Sequence, residues 1–153
     1  MSAPTTPRQY SIKEAAALTG LPASTLRYYE SIGVIAPINR GESSKHRVYD
    51  EDDLDKLIGV ACLAATGMNV SDMRSYVANA QLGAAGARSQ IELLTERRRQ
   101  LVLEAEYIAL RQRYVDLKVE YWRAIEAGDE ARAERLGAEA RGLADNLNGA
   151  KRR

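Results

Sequence analysis

From about Ala84 to Ala127 the chain has no proline and repeats apolar residues at helical spacing, so this stretch reads as one helix, too long for a single globular layer. Two apolar stripes run along it. One is Leu94, Leu101, Ala105, Ile108, Val115, Val119 and Trp122, interrupted by Arg98 and Gln112. The other is Leu103, Tyr107, Leu110, Tyr114, Leu117, Tyr121 and Ala124, stepping by four and three residues without a break. An offset of two residues is about 200° around a helix, which puts the stripes on opposite sides. Burying each large side chain is worth roughly 1.5–3 kcal/mol, so a helix apolar on two sides needs two partners. One stripe is assigned to the same helix of a second subunit; Leu94, Leu101, Ile108, Val115, Val119 and Trp122 are the candidate dimerisation residues, and the spacing alone does not choose between the two stripes. Gly128-Asp129 breaks the helix. A final helix over residues 129–147, with Ala133, Leu136, Ala140, Leu143 and Leu147 on one face, is then the candidate cover for the other stripe, and residues 148–153 read as a frayed tail.

The N-terminal half has a different texture. After an arm of residues 1–9, expected to lack order, Ser11 and Glu14 form a capping box that starts a helix at Ile12, with Ile12, Ala15, Ala16 and Thr19 on one face and Gly20 at its end. Leu21 to Ser24 turns the chain into a second helix, from about Ser24 to Ile32. Its inner face is Leu26, Tyr29 and Gly33, and its outer face Ser24, Thr25 and Tyr28, with Arg27 on the border. Val34 to Ile38 reads as a short strand edge, Asn39 to Ser44 as a polar loop and His46 to Tyr49 as the returning strand, which together make a wing. Asp50 caps a third helix, Glu51 to about Thr66, with Leu54, Leu57, Ile58, Ala61 and Ala65 at the helical period. Gly67 ends it, and Ser71 caps a short fourth helix in which Met73, Tyr76 and Val77 face inward.

Two short helices around a tight turn, the second bearing hydroxyls, an arginine and a tyrosine, followed by a basic hairpin, form a surface suited to duplex DNA. The formal net charge of +1 conceals this, because residues 1–49 carry six Lys and Arg against three Glu while Asp50 to Asp55 is acidic. His46, the only histidine, adjoins Lys45 and Arg47 and is placed as a phosphate or groove contact rather than a catalytic group. Cys62, the single cysteine, reads as a buried, inert thiol and excludes an internal disulfide; no Cys or His cluster has metal-ligand spacing. No paired acid and base, activated nucleophile or phosphate-cradling glycine loop is present, so neither an enzyme nor a cofactor is expected. Without a run of about 18 apolar residues, or a signal-peptide core near Pro4 and Pro7, the expected location is the cytoplasm, away from membranes.

The residues from Tyr10 to about Ala80 resemble the MerR family of transcriptional regulators. The resemblance is carried by Tyr10-Ser11-Ile12, by Thr25-Leu26-Arg27-Tyr28-Tyr29-Glu30, by Ile32-Gly33-Val34-Ile35-Ala36-Pro37, by Arg47-Val48-Tyr49 and by Asp52-Asp53-Leu54. It implies a homodimer joined by an antiparallel coiled coil of the long helix. Such a dimer sits on an inverted repeat inside an over-long promoter spacer and distorts the DNA, which engages RNA polymerase only through the shared promoter. It also implies that Ser24, Thr25, Arg27, Tyr28, Arg40 and Arg47 lie at the DNA, and Lys45 and His46 stand beside them. Lys45-His46 departs from the family pattern, in which a glycine and a tyrosine are common there.

The expected fold is mainly α. A winged helix-turn-helix DNA-binding domain over residues 10–80 precedes the long antiparallel coiled-coil dimerisation helix over 84–127 and the short C-terminal helix over 129–147. The cysteines of metal-sensing and cluster-bearing members have no counterpart in Ala80 to Gly83 or Ala127 to Asp129. Tyr107, Tyr114, Tyr121 and Trp122 are the candidates for a small-molecule effector pocket, although an aromatic stripe at heptad spacing is more often core. The alternative to a regulator is a winged-helix architectural or excisionase-like DNA-binding protein, against which the long helix argues.

Overall fold

The computed structural model describes residues 6–150, apart from the side chain of residue 150; the first five residues of the expected arm and residues 151–153 of the expected tail lie outside them. Its helices are α1 (Ile12–Thr19), α2 (Ala23–Ser31), α3 (Glu51–Ala65), α4 (Val70–Gln81), α5 (Ala87–Glu126) and α6 (Glu130–Ala150). Two compact units part within α5, between Leu94 and Thr95.

The first unit is built on caps and one core. Ser11 accepts from the Glu14 amide while Glu14 accepts from the Ser11 amide, the reciprocal bonds of a capping box; Asp50 and Asp53 repeat the device at α3. The inner faces of α1, α2 and α3 bring Ala15, Leu26, Tyr29, Leu54, Leu57 and Val60 together with Val34, Ile35, Ile38, Tyr49, Met68 and Met73. On α3 it is Val60, not Ile58, that completes the buried row: Ile58 is exposed, and so is Cys62, against the expectation of a buried thiol. Helix α4 starts earlier than expected, because Asn69 rather than Ser71 supplies the cap, accepting from the Asp72 amide at 2.8 Å.

The wing also differs from a two-stranded hairpin. Among the described residues there are only isolated antiparallel bridges, Arg40 with Arg47 and Tyr10 with Tyr49. Val34 and Ile35 are both buried, so this segment does not alternate as a strand facing solvent would, and Pro37 has no amide to contribute to a ladder. Its amides bond instead to the end of α2: Val34 and Ile35 donate to the Tyr29 carbonyl.

The long helix starts three residues later than expected, after a 3-10 turn over Gly83–Gly86. A Cβ on Gly86 would lie 2.1 Å from the Asn79 carbonyl oxygen, so α4 and this turn touch backbone to backbone. Two hydrogen bonds fix the first turn of α5 to α4, from Gln90 Nε2 to the Tyr76 carbonyl and from Asn79 Nδ2 to Gln90 Oε1.

In the second unit α6 folds back on α5 across Ala127–Asp129, with Gly128 at φ 71 and Asp129 capping α6 through its bond from the Arg132 amide. Leu117 and Ala124 of α5 are buried with Ala133 and Ala140 of α6, and a Cβ on Gly137 would sit 3.6 Å from the Tyr121 ring. Small residues on α6 thus let the two axes approach, and Arg132–Glu120 and Arg113–Glu139 pair across the seam. Helix α6 continues through residues 148–150, which were expected in the tail, despite the Asn148-Gly149 turn signal.

Gly86→Ala should lower the stability of the first unit by about 1–3 kcal/mol, since backbone must move to admit one methyl. Gly142→Ala, at an open helical position, should be neutral or stabilising. Thermal unfolding of both variants checks the contrast.

Candidate nucleic-acid interface

Helix α2 turns Leu26 and Tyr29 into the core and leaves the opposite side to solvent. Ser24, Arg27 and Tyr28 are exposed, Tyr28 at 52%, and Thr25 is half-buried at the edge. The Tyr28 ring is braced by the buried Tyr29 ring, with centroids 6.2 Å apart. Arg27 has no ion pair among the described residues, so its guanidinium is open to an anion.

The tip of the wing is closed by its own backbone. Lys45 donates its amide to the Gly41 carbonyl, Gly41 to the His46 carbonyl, and His46 to Ser44 Oγ. Lys45 sits at φ 59, the only non-glycine with positive φ among the described residues. That is the left-handed conformation a glycine adopts freely, so lysine holds the turn at a cost of about 1–2 kcal/mol. Arg40, Lys45 and His46 are exposed, and Arg40 Nη1 donates to the Lys45 carbonyl at 3.4 Å.

Arg47 is placed differently from the other cations. Its Nε donates to Glu30 Oε2 at 2.6 Å, and the two side chains are only 19% and 13% exposed. The other oxygen of Glu30 accepts the Ile38 amide at 3.2 Å. Glu30 therefore joins the end of α2 to both limbs of the wing. Burial pushes its carboxyl pKa up, but the bond from Arg47, the Ile38 amide and the charges of Arg47 and Arg40 outweigh burial and hold it below the usual 4.5. Sequence reasoning passed over Glu30. The signal available was its sign: a carboxylate in the last turn of a helix opposes the macrodipole and so calls for a cation. Beneath the pair lies Tyr49, fully buried, whose hydroxyl has no hydrogen-bond partner among the described residues and whose pKa burial pushes up. Arg8, also unassigned from sequence, stacks over Tyr10 at 5.0 Å.

In the second unit the four aromatic residues do not line one cavity. Tyr107, Tyr114 and Tyr121 are half-buried on the flank that faces α6, whereas Trp122 is exposed and meets the Tyr121 ring edge-on, with centroids 5.3 Å apart. Tyr107 lines a groove of about 650 Å³ with Leu103, Leu110, Glu104, Glu106 and Asp145, while Tyr114 and Trp122 border a shallow depression with Val115, Lys118 and Val119. Among the described residues no three His, Cys, Asp or Glu side chains converge as metal ligands, and no helix is long and apolar enough to cross a membrane.

Residues 10–80 match the model of the MerR HTH family regulatory protein. An uncharacterized HTH-type transcriptional regulator of Bacillus subtilis (strain 168), YyaN, is 40% identical over 68 residues, 44% of this chain and 49% of that protein. The HTH-type transcriptional regulator AdhR of the same organism is 30% identical over 92 residues, 60% of this chain and 65% of its own length. The chain thus spans about half of the first relative and just under two thirds of the second. The fold superposes on the crystal structure of HiNmlR, a MerR family regulator lacking the sensor domain, bound to promoter DNA. That match has a TM-score of 0.62 and 25% identity, and covers 84% of this chain and 96% of that one. The matched family and both relatives are transcriptional regulators, not enzymes.

Two outcomes follow from the wing. Because the Glu30 carboxyl titrates below its ordinary value, its pairing stabilises the fold above pH 4.5 and that contribution fades as pH falls through the lowered value. Glu30→Gln should cost roughly 1.5–3 kcal/mol at neutral pH, a difference from the parent that shrinks in acid; chemical unfolding at several pH values checks it. Lys45→Gly should hold or raise the midpoint of chemical unfolding, because glycine takes the left-handed turn without the lysine's backbone cost.

Proposed function

We propose that this chain, which belongs to the MerR family of helix-turn-helix regulatory proteins, acts as a homodimer that grips promoter DNA and controls transcription by distorting it. Helix α2 enters the major groove with Ser24, Thr25, Arg27 and Tyr28, and the wing follows the backbone with Arg40, Lys45 and His46. Arg47 holds the wing against α2 through Glu30, and reaches phosphate with what remains of its guanidinium. The observation that carries the reading is the exposed Arg27–Tyr28 face of α2, in the same unit as a wing whose cations point away from the core.

The dimer is supported by the flank of α5 that α6 leaves bare. Leu94, Leu101, Ile108, Val115, Val119 and Trp122 are all exposed in the single chain, a row that water does not tolerate along so long a helix. A two-fold pair presents two reading heads to an inverted repeat. Few bases need be read directly, because sequence-dependent cost of bending supplies part of the specificity. RNA polymerase enters only through the promoter both proteins share. Such work belongs in the cytoplasm and needs no cofactor. An effector, where there is one, binds among the helices of the second unit; the aromatic residues there are the candidates, although they are divided between two flanks of α5.

Footprinting on DNA upstream of the chain's own gene, with transcription measured in parallel, tests the proposal. Protection of an inverted repeat within a lengthened promoter spacer, together with a change in transcript level, is the expected result; protection without a transcriptional effect would favour the architectural alternative. On the protected duplex, Arg27→Ala should weaken binding and reduce the slope of log affinity against log salt by about one for each chain bound. An unchanged slope would remove Arg27 from the phosphate contacts.

A further inference from the structure

A surface that meets the phosphates of a duplex has no electrostatic use for a carboxylate, yet Glu30 stands where α2 and the wing join. Its charge repels DNA and lowers affinity unless it serves another purpose. Closing the wing is not that purpose. Backbone bonds already close it, from Gly41 to the His46 carbonyl, from Val48 to the Asn39 carbonyl and reciprocally between Tyr10 and Tyr49. Joining the wing to α2 is met by the Ile38 amide, which donates to Glu30 Oε1 at 3.2 Å. Neither task requires the second oxygen to hold an arginine, and a largely buried ion pair is often no more stabilising than an apolar pair of similar volume.

The geometry of Arg47 supplies the reason. Glu30 Oε2 takes only its Nε, and both terminal nitrogens of the guanidinium are without a hydrogen-bond partner among the described residues. Neither is sealed from solvent, because among those residues the Tyr49 hydroxyl is the single buried side-chain polar atom left unpaired. Arg47 is therefore anchored on one side and open at its end. The open end carries two nitrogens in a fixed plane, a fork that matches two oxygens of a phosphate. Arg40 lies directly across the bridge from Arg47, and its like charge would push an unanchored side chain away. The Glu30 carboxyl, held below its ordinary pKa, keeps the anchor ionised at neutral pH.

We propose that Glu30 is a positioning residue for DNA binding: it holds Arg47 by Nε so that the two terminal nitrogens face outward together and clasp one phosphate of the duplex. The inference rests on the DNA-binding reading above and deepens it. The same device orients metal-bound histidines, in which a carboxylate on one ring nitrogen aims the other. Glu30 offsets much of the Arg47 charge, so this contact contributes direction more than attraction. It sets the distance from α2 to the phosphate that the wing grips, and so the angle at which Ser24, Arg27 and Tyr28 enter the groove. Arg40 and Lys45, exposed and paired with no carboxylate among the described residues, supply charge without that direction.

Affinity of the full chain for a labelled duplex spanning the region upstream of its own gene tests the proposal, at one salt concentration and at a temperature where circular dichroism finds each variant folded. Charge alone predicts that Glu30→Gln tightens binding, because a negative group leaves the neighbourhood of a polyanion. Positioning predicts the opposite sign, a weakening of about tenfold or more. In an Arg47→Gln background the same substitution should leave affinity unchanged or raise it, because no fork remains to aim. Arg47→Lys keeps the charge but has one nitrogen, which can serve Glu30 or the phosphate and not both. It should also weaken binding by about tenfold, a comparison that holds even where Glu30→Gln fails to fold. A Glu30→Gln chain that binds as tightly as the parent or more tightly would overturn the proposal. So would equal weakening in both backgrounds, or an Arg47→Lys chain that binds like the parent. A parent chain that leaves the duplex free even at low salt, where non-specific contact suffices, would instead overturn the DNA-binding reading itself.

Discussion

A helix as long as α5 can hide only one of its flanks beneath α6, and its sequence is apolar on two. Tyr107, Leu110, Tyr114, Leu117, Tyr121 and Ala124 are covered within the chain, with small residues at Ala133, Gly137 and Ala140 permitting the close approach. The row from Leu94 to Trp122 is left in water. Each large side chain in that row represents roughly 1.5–3 kcal/mol awaiting burial, against a total domain stability of only about 5–15 kcal/mol. On the proposed reading a second copy covers this row without any new chemistry.

The first unit meets a different constraint. A wing made of isolated bridges and a left-handed lysine has little sheet to hold it, so its position depends on side chains. Glu30 supplies the joint, accepting from Ile38 in one limb and Arg47 in the other while standing on the last turn of α2. The recognition helix and the wing are thereby held as one surface. Arg47 is then partly a structural residue, and on the proposed reading the electrostatic work on a nucleic acid shifts toward Arg27, Arg40 and Lys45.

Much of the fold was legible because it is written in local rules. Ser11 with Glu14, Asp50 ahead of α3 and Gly128 after α5 act within a few residues of themselves, and the two heptad stripes are a matter of spacing alone. What escaped depends on groups far apart in the chain. The segment Val34–Ile38 looks like a strand by residue type, yet two adjacent residues are buried and the end of α2 takes its amides. Asn69 and Ser71 are both good caps, and only the packing of Met68 and Met73 decides between them. Cys62 lies on the solvent side because Val60 completes the inner row of α3. At the interface, the exposed residues of α2 followed from the helical wheel, whereas the Arg47–Glu30 pair joins residues seventeen apart and no spacing rule points to it.

The central claim is that the bare flank of α5 brings two chains, and so two α2–wing surfaces, onto one duplex. Native mass spectrometry of the chain with the duplex that footprinting protects measures this directly. Two chains per duplex, with no species carrying one chain at sub-saturating protein, is the predicted outcome; a stable complex of one chain on one duplex would contradict it.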